Sequence, residues 1–137
     1  RPWTADREVA DLQSFDVGIL PLPQDPWTLG RGTGKLFQYL AAGLPVVASP
    51  ARIVRDVLRE GETGFVAEDE EGWRAALGCL AADAALRERV GRAARADFER
   101  AHSLEVHAPR LWALLREIAG DGAAAAEGER GREWRAS

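Results

Sequence analysis

The sequence predicts an α/β fold in which helices flank a parallel β-sheet, followed by a helical region and a disordered tail. Two short apolar segments, 15–22 and 44–49, have the composition of strands that are buried on both faces. A segment of helical periodicity, 34–42, lies between them. From residue 121 onward Gly, Ala, Glu and Arg dominate, and no apolar period could build a core there.

The first strand is predicted at 15–22, where the run FDVGILPL is apolar and ends on prolines. Pro21 and Pro23 lack the amide hydrogen that a sheet ladder needs, so the strand cannot continue past them. The stretch 24–33 holds proline, glycine, aspartate and threonine without any regular period. These residue types are typical of a surface loop.

The central helix is predicted at 34–42 from apolar residues at helical spacing, which are Leu36, Phe37, Leu40 and Ala41. Thr33 is expected to cap its amino end, and Gly43 is expected to end it. The next strand, 44–49, follows directly. Strand, helix and strand together predict a right-handed parallel βαβ unit.

Beyond this unit the alternation of strands and helices fades. The remaining predicted elements are a short helix at 53–59, a strand at 65–67, and helices at 70–82, 83–100 and 103–119. A length of 137 residues suits one domain or part of one. We therefore predict a partial domain, 1–120, and a disordered tail, 121–137.

Composition excludes several classes of protein. A net charge of -4 and a pI near 5.3 argue against a nucleic-acid partner, because such modules carry a basic surplus. No apolar run approaches the roughly 20 residues of a membrane span. The one cysteine, Cys79, permits no intrachain disulfide, so we expect a cytoplasmic protein with a buried helical thiol. The sequence lacks methionine, and we expect a fragment of a longer protein.

The residues most suited to chemistry surround the start of the central helix. In open α/β sheets, ligands bind beyond the carboxyl ends of the strands, where helix amino ends direct free amides outward. The residues predicted at this edge are Arg31, Gly32, Thr33, Gly34 and Lys35. Two cations, free amides and two glycines suit the phosphates of a diphosphate leaving group. Gln38 lies one turn further and offers both a donor and an acceptor.

Structural interpretations compete with these binding roles. Thr33 fits a helix cap better than a ligand contact. Arg31 and Lys35 fit solvated side chains as well, although a lysine at a helix amino end opposes the helix dipole. Asp56 is expected either to cap a helix or to pair locally with a neighbouring side chain.

No metal site is predicted. His102 and His107 are five residues apart, which does not align them on one helical face. The acidic run 68–71 lacks the spaced oxygen pattern of a calcium loop and instead indicates a solvated helix start. With two cations available for the phosphates, the chemistry requires neither a metal ion nor another cofactor.

A longer string carries a family resemblance. The residues KLFQYLAAGLPVVAS, 35–49, resemble the signature of the retaining glycosyltransferases with the GT-B fold, the glycosyl transferase group 1 family. The strand at 15–22 is similar to the preceding family strand. Later similarities are the string GETGFV at 61–66, Trp73, and the string DAALR at 83–87. The resemblance covers roughly residues 11 to 118.

The resemblance implies the C-terminal part of a Rossmann-like domain that binds a nucleotide sugar. The whole enzyme would transfer a hexose-type sugar from a nucleoside diphosphate to a glycan, lipid or small-molecule acceptor. The donor-binding residues it implies are Arg31, Gly32, Thr33, Gly34, Lys35 and Gln38, with no catalytic residue in this segment. It also implies a further N-terminal domain, peripheral membrane association as an open option, and no activity of this segment alone.

The sequence departs from the usual family motif of two glutamates separated by seven residues. Gly30 and Gln38 occupy those positions. A branch of the family instead has a Trp, a Gly, a basic residue and a Lys, which Trp27, Gly30, Arg31 and Lys35 resemble. The missing glutamates keep a second hypothesis open, a non-catalytic nucleotide-sugar-binding or interaction module. A third, an unrelated doubly wound domain of the flavodoxin or response-regulator type, would need an acidic phospho-acceptor pocket, for which the sequence offers only Asp16 and Asp25.

Overall fold

A computed structural model describes residues 4–23, 25–27 and 34–133, with side chains as far as residue 120. The chain divides into two compact units, one ending at Ala101 and the other beginning at His102. Within the described ranges, no helix is long and apolar enough to cross a membrane.

Three parallel strands in the order β1-β2-β3 form the sheet of the first unit. The elements of this unit are α1 (Ala5–Gln13), β1 (Gly18–Leu20), α2 (Gly34–Ala41), β2 (Val46–Ala48), α3 (Arg52–Val57), β3 (Gly64–Val66), α4 (Glu70–Ala82) and α5 (Ala84–Ala101). Ile19, Val47 and Phe65 are in register across the sheet. The predicted fold class, a partial Rossmann-like sheet with flanking helices, is confirmed.

Each face of the sheet has its own core, because successive strand side chains point to opposite faces. Val46 and Ala48 lie in the larger cluster. Its other buried members are Leu20, Leu36, Leu40, Ala51, Val54, Val57, Leu58 and Ala94. Val47 points the other way and is buried with Ala67 and Leu80. Complete burial of a side chain such as Leu36 contributes about 2 kcal/mol.

Helix α4 shows how local sequence sets both ends and faces of an element. Asp69 caps it, since its Oδ1 accepts a hydrogen bond from the Gly72 amide at 2.8 Å. Trp73 and Leu77 pack beside Leu80 on the face toward the sheet. Cys79 lies off that face and is exposed, so the expectation of a buried thiol is wrong.

Helices α2 and α5 meet at very close range. Gly43, which ends α2, has φ +73°, a conformation that side chains rarely adopt. A Cβ on Gly91 of α5 would lie 2.2 Å from the Gly43 carbonyl oxygen, so only glycine fits there. Further along, the rings of Phe37 and Phe98 are 6.5 Å apart between centroids. The close approach of Gly43 and Gly91 fixes the carboxyl end of α2 against α5.

A nearly buried carboxylate joins α5 to the segment before β3. Asp97 Oδ1 accepts hydrogen bonds from Arg59 Nη1 at 2.7 Å and Arg100 Nη2 at 2.5 Å. Burial raises the pKa of Asp97, but these two hydrogen bonds and the guanidinium charges outweigh burial and lower the pKa below its ordinary value. Asp97 is therefore held ionised by its partners.

The two outer edges of the sheet differ. On β3, the Val66 amide donates to Glu60 Oε2 at 2.8 Å, and the Gly64 carbonyl accepts from the Gly61 amide at 2.9 Å. On β1, the amide and carbonyl of Ile19 point away from β2 and have no partner in the described part of the chain. The Ile19 side chain is also 51% exposed. One edge is capped, and the other is open.

The structure adds to the sequence prediction at both ends. Helix α1, which was not predicted, has Asp6 and Glu8 in its first turn, a placement that the helix dipole favours. In the second unit, α6 runs from Leu104 to Glu133. Its backbone is helical through 121–133, where disorder is predicted, and the four alanines at 123–126 are strong helix formers. The predicted division at residue 120 stays a prediction.

Candidate functional site

The carboxyl edge of the sheet brings together the end of β1, the end of β2 and the first turns of α2 and α3. Two described arginines near this edge, Arg52 and Arg55, have acidic partners. Arg52 lies 4.0 Å from Asp56, which confirms the predicted local role of that aspartate, and Arg55 lies 2.6 Å from Glu68. Both guanidinium groups therefore have an acidic neighbour within the fold.

Ser49 fixes the segment that leaves β1. Its amide donates to the Leu20 carbonyl at 3.0 Å, which extends the β1-β2 ladder beyond the last strand residue. Its Oγ accepts from the Leu22 amide, also at 3.0 Å. Because Ser49 is 8% exposed, both bonds are shielded from water. The chain therefore leaves β1 in one fixed direction.

Lys35 is an exposed side chain in the first turn of α2. It makes no ion pair with any residue that the structure describes. Its Nζ lies instead 6.0 Å from the centroid of the Tyr39 ring, which is one helical turn further on. A cation at a helix amino end opposes the positive end of the dipole. Among the described residues of this edge, Lys35 is thus a positive charge without an acidic partner, whereas Arg52 and Arg55 have one.

Gln38 and Gly34 are the other predicted binding residues that the structure describes. Gln38 is half-buried, and its Nε2 donates to Glu8 Oε1 of α1 at 3.0 Å. The side chains of Gln38 and Glu8 line a groove of about 330 Å³ between α1 and α2. A Cβ on Gly34 would meet open space, so packing does not require glycine at this position.

Three predicted donor-binding residues, Arg31, Gly32 and Thr33, lie outside the described residues. Trp27, from the same stretch of sequence, is described and is 75% exposed. Among the residues described, no group of three or more His, Cys, Asp and Glu side chains is placed to hold a metal ion.

Sequence reasoning missed three residues of this region, Glu8, Tyr39 and Ser49. Glu8 lies 30 positions from its partner Gln38, and Ser49 lies 27 positions from Leu22. No spacing rule connects residues so far apart. The signal for Tyr39 was its i, i+4 relation to Lys35, which places both on one helical face.

The parallel sheet with its flanking helices defines an α/β protein, a class in which ligands commonly bind beyond the carboxyl ends of the strands. A family model described as glycosyl transferase-like matches residues 26–113. The match covers more than half of the chain, and the chain belongs to this family. The resemblance to glycosyl transferase group 1 is confirmed.

The fold is shared with a much longer protein. A sucrose-phosphate synthase from Thermosynechococcus elongatus matches with a TM-score of 0.61 and 22% sequence identity. The match covers 66% of this chain and 23% of that protein, so the chain spans less than a quarter of its length. At this identity the likeness shows the fold alone. No protein of curated function matches the chain.

Proposed function

We propose that this chain is the diphosphate-binding segment of an enzyme that transfers a hexose-type sugar from a nucleoside diphosphate donor. The acceptor would be a glycan, a lipid or a small molecule, and other parts of the enzyme would bind it. Donor binding would fall to Arg31, Gly32, Thr33, Gly34, Lys35 and Gln38. The chain alone is expected to transfer no sugar.

The uncompensated charge of Lys35 carries this proposal. A side chain that opposes the dipole of its own helix and has no carboxylate partner among the described residues contributes little to the stability of the fold. An anion at the start of α2 would reverse this cost, because it would meet both the ammonium and the free amides of the first turn. A diphosphate gains negative charge as the sugar leaves, so the same contacts stabilise the leaving group.

Calorimetric titration of the chain with UDP, GDP and ADP tests the proposal. We expect one of these nucleotides to bind and Lys35→Ala to weaken the binding by about tenfold or more. Arg89→Ala is the matched control. Arg89 is an exposed cation of α5 without an ion pair among the described residues, so its loss changes the net charge equally. Equal losses in the two variants, or no binding by the unaltered chain, would contradict the proposal.

The hydrogen bond between Gln38 and Glu8 favours a second function. It uses part of the Gln38 amide inside the fold, as expected of a relative that kept the architecture and lost activity. Such a module would bind a nucleotide sugar or another protein without transferring the sugar. Transfer assays with the longest natural protein that contains this sequence distinguish the two functions, since the module would bind the donor and leave it intact.

A further inference from the structure

We propose that Tyr39 is a positioning residue, whose ring, seated on Gly18 of β1, holds the Lys35 ammonium ready for the donor diphosphate. This inference rests on the proposed function and deepens it. Tyr39 would contact no ligand atom, since it acts through the lysine. The same side chain would thereby link the sheet to the anion site.

The seat of the ring is sterically defined. A Cβ on Gly18 would lie 2.6 Å from both Cγ and Cδ2 of Tyr39, closer than any Cβ approaches other atoms. The ring therefore occupies the space that a side chain on β1 would otherwise fill. Gly18 is itself fixed, because its amide donates to the Pro45 carbonyl at 2.9 Å. A ring that rests on a paired strand has little freedom to move.

The ring then acts on the lysine one turn earlier on the same helical face. Lys35 Nζ is 6.0 Å from the ring centroid, a separation at which the negative face of an aromatic ring attracts a cation. The attraction restricts a long side chain that would otherwise sample many rotamers. Preorganisation of this kind lowers the entropy lost when an anion binds.

An aromatic partner differs from a carboxylate partner in one important respect. The carboxylate of Glu68 neutralises Arg55, whereas a neutral ring leaves the full positive charge of Lys35 available. Burial raises the pKa of the Tyr39 phenol, so the ring stays uncharged beyond the pH at which a free tyrosine ionises. Tyr39 therefore orients the cation without cancelling its charge.

The contact itself can be measured without any ligand, because Lys35 is the one lysine of the sequence. In protein labelled with ¹³C-lysine, a single Hε resonance should be shifted upfield by the ring current of Tyr39. We expect Tyr39→Phe to keep the shift and Tyr39→Leu, which preserves apolar bulk without a ring, to abolish it. An Hε resonance at its free-lysine position in the unaltered chain would overturn the proposal.

The effect on binding is measured with the nucleoside diphosphate that binds best among UDP, GDP and ADP. We expect Tyr39→Leu to weaken it by about two- to fivefold and Tyr39→Phe to leave it unchanged. Thermal melting of both variants separates lost positioning from lost folding, since a purely structural role would weaken the fold of Tyr39→Leu and spare the affinity of its folded fraction.

The proposal fails by itself if Tyr39→Leu binds as the unaltered chain does while Lys35→Ala does not bind, and the anion site then stands. If the unaltered chain binds no nucleoside diphosphate, the proposed function and the positioning role are both overturned.

Discussion

The two ends of helix α2 are built in opposite ways. At its carboxyl end, Gly43 meets Gly91 of α5 backbone to backbone, and the Arg95 guanidinium donates to the Ala41 carbonyl. At its amino end, Gly34 faces open space, and Lys35 has no acidic partner among the described residues. Arg95 complements the helix dipole, whereas Lys35 opposes it.

The difference separates stability from binding within one element. The carboxyl end satisfies its carbonyls and buries its surface, so it gains free energy from the fold itself. The amino end keeps a positive charge for which the described part of the chain supplies no acidic partner. Substitutions at the two ends should therefore change different observables.

The largest effect is expected from a substitution that breaks the close contact at the carboxyl end of α2. Gly91→Ala forces a Cβ to within 2.2 Å of the Gly43 carbonyl oxygen, and the helices must move apart. We expect a loss of about 3 kcal/mol of unfolding free energy. Gly78→Ala, at an exposed position of α4, is the matched control, where added helix propensity should stabilise by about 0.5 to 1 kcal/mol. Urea titration measures both, and equal changes would refute the close contact.

The effect of intermediate size concerns Asp97 of α5, whose contribution to stability depends on pH. Because the folded pKa of Asp97 lies below the ordinary 3.8, its stabilisation is complete above that pH. This stabilisation disappears as the pH falls through the pKa that Asp97 has in the folded state. We expect Asp97→Asn to cost about 2 kcal/mol at neutral pH. The gap between variant and parent in urea unfolding should close at acid pH, and a gap that stays constant would contradict the ionised state.

The smallest effects concern the two cations near the ends of α2, which are Arg95 of α5 at the carboxyl end and Lys35 at the amino end. We expect Arg95→Ala to destabilise by about 1 kcal/mol, because the last-turn carbonyl loses its donor. Lys35→Ala should stabilise by about 0.5 kcal/mol, since it removes a charge that opposes the dipole. Thermal melting at low salt reports both signs. A loss of stability in both variants would mean that Lys35 serves the fold.

Much of this architecture follows from local sequence rules. Helix α4 was predicted at 70–82 and runs from Glu70 to Ala82, because acids at its start and apolar periodicity are local signals. The βαβ unit around α2 was also predicted, although β1 spans three residues where 15–22 was expected. Pro21 and Pro23 point the same way as Ile19, so their missing amides lie on the outer edge of β1 and not in its ladder with β2.

The contacts that shape the candidate site were beyond those rules. The bonds of Gln38 to Glu8 and of Arg59 to Asp97 join residues 30 and 38 positions apart, and they exist only after the chain has folded. The place of Tyr39 on Gly18 is likewise a matter of tertiary packing. Lys35 was recognised early because a lone lysine at a helix start contradicts the local preference.

The unequal edges of the sheet give it a direction of growth. Glu60 pairs with the outer edge of β3, so among the described strands a peptide designed to pair with the sheet has its template along β1. Such a peptide would present an apolar residue to Ile19 and alternate it with polar ones. A lysine in place of Ile19 would prevent such pairing, since a charged side chain on an edge strand disfavours the addition of another strand.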